Sequence, residues 1–81
     1  MNQTEKRKKL AAKYQEVISC RLAYFRKERN ISSVKMSLAL GKSQDYISKI
    51  ERKKFLPSIK MFLRICSFLD IKPKDFFDDG Q

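Results

Sequence analysis

The stretch Lys42-Ser43-Gln44-Asp45-Tyr46-Ile47-Ser48-Lys49-Ile50-Glu51-Arg52 decides how the chain is read. At roughly 100° per residue, Tyr46, Ile47 and Ile50 share one arc of a helix. Gln44, Asp45, Ser48, Lys49 and Arg52 share the opposite arc. Ser43 stands just ahead, where a hydroxyl can accept from the free N–H groups of a first turn. The expectation is a short helix over 44–52, capped by Ser43. One face would pack on a core, and the other would present hydrogen-bonding side chains.

Upstream, Ser32 is a second N-cap candidate, and a short helix is expected over 33–40, with apolar surface from Met36, Leu38, Ala39 and Leu40. Gly41 then supplies the positive φ that a tight turn requires. Two helices joined so closely have helix-turn-helix dimensions. Further back, residues 13–29 read as a helix with Tyr14, Ile18, Leu22 and Phe25 on one stripe and Arg26 at its edge. Asn30 is a plausible left-handed stop. Residues 1–12 are polar and basic: either a mobile arm, which could lie along phosphates, or a helical extension capped by Thr4.

Downstream, Lys53 to Leu56 read as a loop closed by Pro57. Ser58 caps a helix over 59–69 whose apolar arc, from Ile59 through Leu69, is wider than one side of a small core needs. Pro73 suits the first turn of a last helix reaching about Asp78. Residues 79–81 are a short tail. Met61, Phe68, Phe76 and Phe77 become the candidates for an interface with a second copy, with core packing as the other use of the same side chains. The class is all-α: 81 residues suffice for one small core, and two Gly and two Pro are too few turn formers for an all-β domain.

Nineteen Lys and Arg against nine acids give a formal charge of +10, whose natural complement is a polyanion. There is no His, and the only glycines are Gly41 and Gly80. The usual general base and a Gly-rich phosphate loop are therefore both missing, and no enzyme is expected. Cys20 and Cys66 are far apart and lack partner ligands, so they read as reduced, buried thiols. No metal, cofactor or small-molecule ligand is expected. No signal peptide or membrane-spanning run is visible, which suggests a cytoplasmic protein.

A helix fits the DNA major groove, where each base pair displays its own donors and acceptors. Gln44 can bond adenine, Lys49 guanine and Asp45 the cytosine amino group, while small Ser48 allows close approach. Asp45 can also act by orienting Lys49 or Arg52. Ser33, Lys42, Ser43, Arg52, Lys53 and Lys54 are the candidates for phosphates.

Ile31-Ser32, Leu40-Gly41, Ser43, Tyr46 to Arg52 and Pro57-Ser58 together resemble the Cro and lambda-repressor type of helix-turn-helix, the Xre family. The resemblance covers about Val17 to Phe77. It implies a compact five-helix bundle in which helices 2 and 3 form the motif and helix 3 reads DNA. By that match Gln44, Asp45 and Lys49 fall at base-contacting positions. Arg26 and Glu51 match positions that form an ion pair between helices 1 and 3 in some members. Three residues depart from the pattern: Ser33 replaces the usual Gln, Ser37 a small Ala, and Lys53 the Gly after the recognition helix.

The sequence thus predicts an arm or helical extension over 1–12, a helix-turn-helix domain over 13–78 and a tail over 79–81. The function predicted is that of a sequence-specific regulator of double-stranded DNA, a repressor acting as a homodimer. The alternative is a protein-interaction module of the same fold, such as an antitoxin or bridging factor.

Overall fold

In the computed structural model, which describes residues 3–78, α1 spans Gln3–Glu28, α2 Ser33–Ala39, α3 Tyr46–Glu51, α4 Ile59–Leu69 and α5 Pro73–Phe76. No strand occurs among the described residues. The helices stop by a shared device. Asn30, Gly41, Lys53 and Asp70 follow α1 to α4 with φ between 55° and 75°. In each case the left-handed residue and the one after it donate back to the last turn, as in Lys53 N to Ile50 O (3.0 Å) and Lys54 N to Lys49 O (2.9 Å). This is the Schellman arrangement, which satisfies carbonyls that a helix end otherwise leaves open. Asn30 and Gly41 take the conformation expected of them.

The N-caps follow the chain at two sites and depart from it at two. Ser32 accepts from Lys35 N and Ser58 from Met61 N, as their positions predict. Ser43 does not cap α3, and α3 does not begin at residue 44. Gln44 and Asp45 form a turn, and the Ser43 hydroxyl donates to Asp45 Oδ1 at 2.9 Å. Thr4 lies inside α1, which runs unbroken from Gln3. Residues 3–14 are thus a helical extension, in keeping with their Lys, Arg, Ala and Gln content and the absence of Gly or Pro.

α1 is about 39 Å long at 1.5 Å per residue, close to the 43 Å maximum extent of the molecule. Its amino-terminal half outruns the core. Tyr14 is therefore exposed, and the buried stripe starts near Ile18 and continues through Leu22 and Phe25. Leu22, Met36, Leu40, Ile47, Ile50, Ile65, Leu69 and Phe76 complete the centre. Phe76 meets Phe25 at 5.6 Å and Phe62 at 5.1 Å between ring centroids.

Arg21 on α1 and Arg29, just past its end, tie the carboxyl ends of the last helices to it. Arg21 Nε donates to Phe76 O and Arg29 Nε to Leu69 O, both at 2.8 Å. Both guanidiniums also lie over the Phe25 ring. Each supplies a donor and positive charge where a helix terminus needs them. Cys66 is buried as expected. Cys20 is exposed, because it sits on the side of α1 turned from the core.

Candidate nucleic-acid interface

The motif is built on a hydroxyl that the sequence did not single out as functional. Ser37 on α2 is fully buried; it donates to Ser33 O at 2.7 Å and accepts from Ile47 N at 2.9 Å. It thus does for the first turn of α3 what Ser43 does not. A signal for this role was present. Ser33, Met36, Ser37 and Leu40 share one face of α2, and a polar residue on a buried face must find partners.

A second fixture holds the other end of α3. Arg26 meets Glu51 through two parallel bonds, Nε to Oε2 at 2.7 Å and Nη2 to Oε1 at 2.9 Å, and a third, Nη1 to Ile31 O, is 2.8 Å. Both side chains are largely buried, with 11% and 13% of their area accessible. Glu51 raises the Arg26 pKa further, so the guanidinium stays charged. The fork geometry suits Arg in particular.

With Ile47 and Ile50 in the core and Glu51 held by Arg26, the remaining face of α3 is open. Asp45 and Lys49 form an ion pair across one turn at 3.0 Å, and both are substantially exposed. Lys49 and the Ser43 hydroxyl hold the Asp45 carboxyl below the usual carboxylate range. The Ser48 hydroxyl donates to Asp45 O at 3.1 Å. Gln44 is exposed at the amino-terminal edge of this face.

The cations surround it. Lys42 Nζ lies over the Tyr46 ring at 5.5 Å, and Tyr46 in turn packs on Phe55. Burial pushes the Tyr46 hydroxyl pKa up. Arg52 folds back so that Nε approaches Ser48 O at 3.4 Å. Lys53 and Lys54 are exposed past the end of α3, and Gln15 Nε2 reaches Lys53 O at 3.5 Å. Ser33 is half-buried in the first turn of α2. The structure therefore brings Gln44, Asp45, Ser48 and Lys49 onto one solvent-facing surface, with Lys42, Arg52, Lys53 and Lys54 around it. Among the described residues, no helix is long and apolar enough to cross a membrane.

A helix-turn-helix family model matches residues 22–76. The chain belongs to the Cro/C1-type helix-turn-helix family. It is similar to the ImmF control region 10 kDa protein of Bacillus phage phi105, with 39% identity over 46 residues. That match covers 57% of this chain and about half (51%) of the phage protein. It is also similar to MJ0272 of Methanocaldococcus jannaschii, an uncharacterized HTH-type transcriptional regulator, with 33% identity over 57 residues. Here 70% of this chain and 86% of the relative are covered. No solved structure matches the chain. The helix-turn-helix match and the relatives' names support a DNA-binding regulator.

The family's pattern also clarifies Lys53. A lysine stands where the resemblance leads one to expect Gly, yet φ is 62° and the Schellman bonds are intact. The turn keeps its shape and gains a charge.

The interface residues expected from sequence divide. Met61 and Phe76 are buried within the monomer, at 7% and 1% exposure, because α4 and α5 close the core over Phe25 and Phe62. They are core residues and offer no surface to a second copy. Phe68 and Phe77 remain accessible.

Proposed function

We propose that the protein is a sequence-specific repressor that inserts α3 into the major groove of double-stranded DNA and acts in the cytoplasm as a homodimer. The observation that carries this reading is the division of α3. Its buried side is fixed by Ile47, Ile50 and the Arg26–Glu51 fork; its open side carries Ser48 and Lys49, and the turn that leads into it presents Gln44 and Asp45. A recognition surface needs rigid support of this kind.

Gln44 would bond an adenine edge, and Lys49, steadied by Asp45, would donate to guanine. Asp45 would contribute by direct acceptance from cytosine or by holding Lys49. Ser33, Lys42, Ser43, Arg52, Lys53 and Lys54 would meet phosphates and set the register. A symmetric dimer would read two half-sites about one helical turn apart.

Selection of bound duplexes from a random pool, followed by binding at several salt concentrations, tests this. The expected result is a palindromic consensus and a log K that falls with log salt by about 0.9 for each phosphate neutralised. Absence of salt-sensitive DNA binding would overturn it. That outcome would favour an interaction module, for which Ile59 and Leu63, 77% and 50% exposed on α4, would be the contact residues.

A further inference from the structure

Residues 3–14 carry five basic side chains, Lys6, Arg7, Lys8, Lys9 and Lys13, against one acid, Glu5. These twelve residues thus hold four of the chain's ten net positive charges. All twelve are exposed, and among the described residues none of the five cations pairs with a carboxylate. The segment is helical with no core beneath it, and a helix of this length is marginal in water by itself. Like charges crowded on it weaken it further. The segment therefore adds little to the fold, and its charge calls for a counter-charge from outside the chain.

The structure places this segment beside the end of α3. Gln15 Nε2 reaches Lys53 O at 3.5 Å, so α1 leaves the core next to the turn that carries Lys53 and Lys54. Further along α1, Arg26 holds Glu51, the last residue of α3. At roughly 100° per residue, Lys8, Gln15 and Arg26 fall within about 20° of one another round the helix. Lys8 therefore continues the side of α1 that meets α3, about 10 Å beyond Gln15 at 1.5 Å per residue. Ala11 and Ala12, on the same side, are too small to hold a neighbour off, and Arg7 stands at its edge. Lys6 and Lys13 lie on the opposite side, roughly 160–180° away.

A DNA duplex carries one phosphate charge for each ~1.7 Å of its axis. Backbone that runs on past Lys53 and Lys54 thus meets the basic half of α1. A bilayer suits the segment less well, because Leu10 and Tyr14 are its only large apolar side chains and an interfacial helix needs a full apolar face.

We propose that residues 3–14 are a second phosphate-binding element, a basic helix that lies along the DNA backbone beside the base pairs read by α3. Arg7 and Lys8 contact phosphates, whereas Lys6 and Lys13 add only diffuse attraction. The element raises affinity and carries no sequence information. It rests on the DNA reading and extends the contact beyond the motif.

The test compares two charge-matched variants of the full chain on the duplex selected by the wild type. Arg7→Ala with Lys8→Ala should lower the salt slope by about 1.8, at 0.9 for each phosphate lost, and leave the selected consensus unchanged. Lys6→Ala with Lys13→Ala should leave the slope nearly unmoved. All four positions are exposed and Ala favours helix, so unchanged melting curves will show that both variants fold.

No salt-sensitive binding by the wild type would remove the DNA reading and this element with it. Wild-type binding with an unchanged slope in Arg7→Ala/Lys8→Ala would overturn the element alone. If that variant also lost binding to phosphatidylserine vesicles, the segment would belong to a membrane surface. Equal losses in the two variants would overturn the contact and leave a diffuse charge, and an altered consensus would place the side chains on bases instead.

Discussion

The Ser37 hydroxyl on α2 accepts the Ile47 amide on α3 at 2.9 Å, inside the core, and so ties the two helices of the motif together. Replacement of Ser37 by Ala would leave a buried N–H without its acceptor. Such a group costs ~1–3 kcal/mol, more than the net value of an ordinary hydrogen bond. Ser37→Ala is expected to lower the unfolding free energy by that amount, read as a lower urea midpoint with an unchanged m-value. Unchanged stability would show that the amide finds another acceptor.

Arg26 and Glu51 make the second tie. Glu51→Ala removes both bonds of the fork and leaves a nearly buried guanidinium with only the Ile31 carbonyl for company. Breaking one side of a buried pair costs ~3–5 kcal/mol, and the surviving carbonyl bond places this case toward the lower figure. Thermal unfolding should report a clear loss, smaller for Glu51→Gln, which retains an acceptor.

Lys53 separates backbone effects from DNA effects. Its left-handed φ of 62° is unfavourable for any residue with a Cβ. Lys53→Gly should therefore stabilise the fold by about 1 kcal/mol, while weakening binding to all DNA sequences equally and lowering the salt slope by about 0.9. Gln44→Ala should behave differently, relaxing preference at one base pair by ~1–3 kcal/mol. Opposite patterns in a binding-site selection would exchange the two roles.

Asp45 offers a pH test. Lys49 and then Ser43 lower its pKa in the folded state. Any stability it contributes is thus fully present above the ordinary aspartate value of about 3.9 and is lost as pH falls through the lower folded value. A carboxyl-carbon NMR titration should find the midpoint below that ordinary value. In Lys49→Ala the midpoint should rise toward it, and an unmoved midpoint would show that the ion pair does not persist in solution.

The two thiols should differ in reactivity. Cys20 is exposed, whereas Cys66 is buried, and burial pushes its thiol pKa up. The thiolate is the reactive form. An aromatic disulfide reagent should titrate Cys20 rapidly in the native protein and Cys66 only on unfolding. Equal rates would mean that α4 opens readily.

The sequence by itself determined the local elements. Apolar periodicity, with cap signals and Pro73, pointed to five helices. Asn30 and Gly41 marked stops and Ser32 and Ser58 marked starts, while the Arg26–Glu51 pairing came from the family resemblance. These are local properties, written in the spacing of a few neighbouring residues. Tertiary structure alone decided the rest. Tyr14 belongs by period to the buried stripe but lies beyond the end of the core, and period carries no information about where a core stops. Met61 and Phe76 are buried rather than shared, because the closure of α4 and α5 over Phe25 depends on contacts distant in sequence. Ser37, which the sequence presents as a small residue in place of another, caps a helix ten residues away in the chain. A hydroxyl's partner is a matter of position in space, and that position exists only once α2 and α3 have packed.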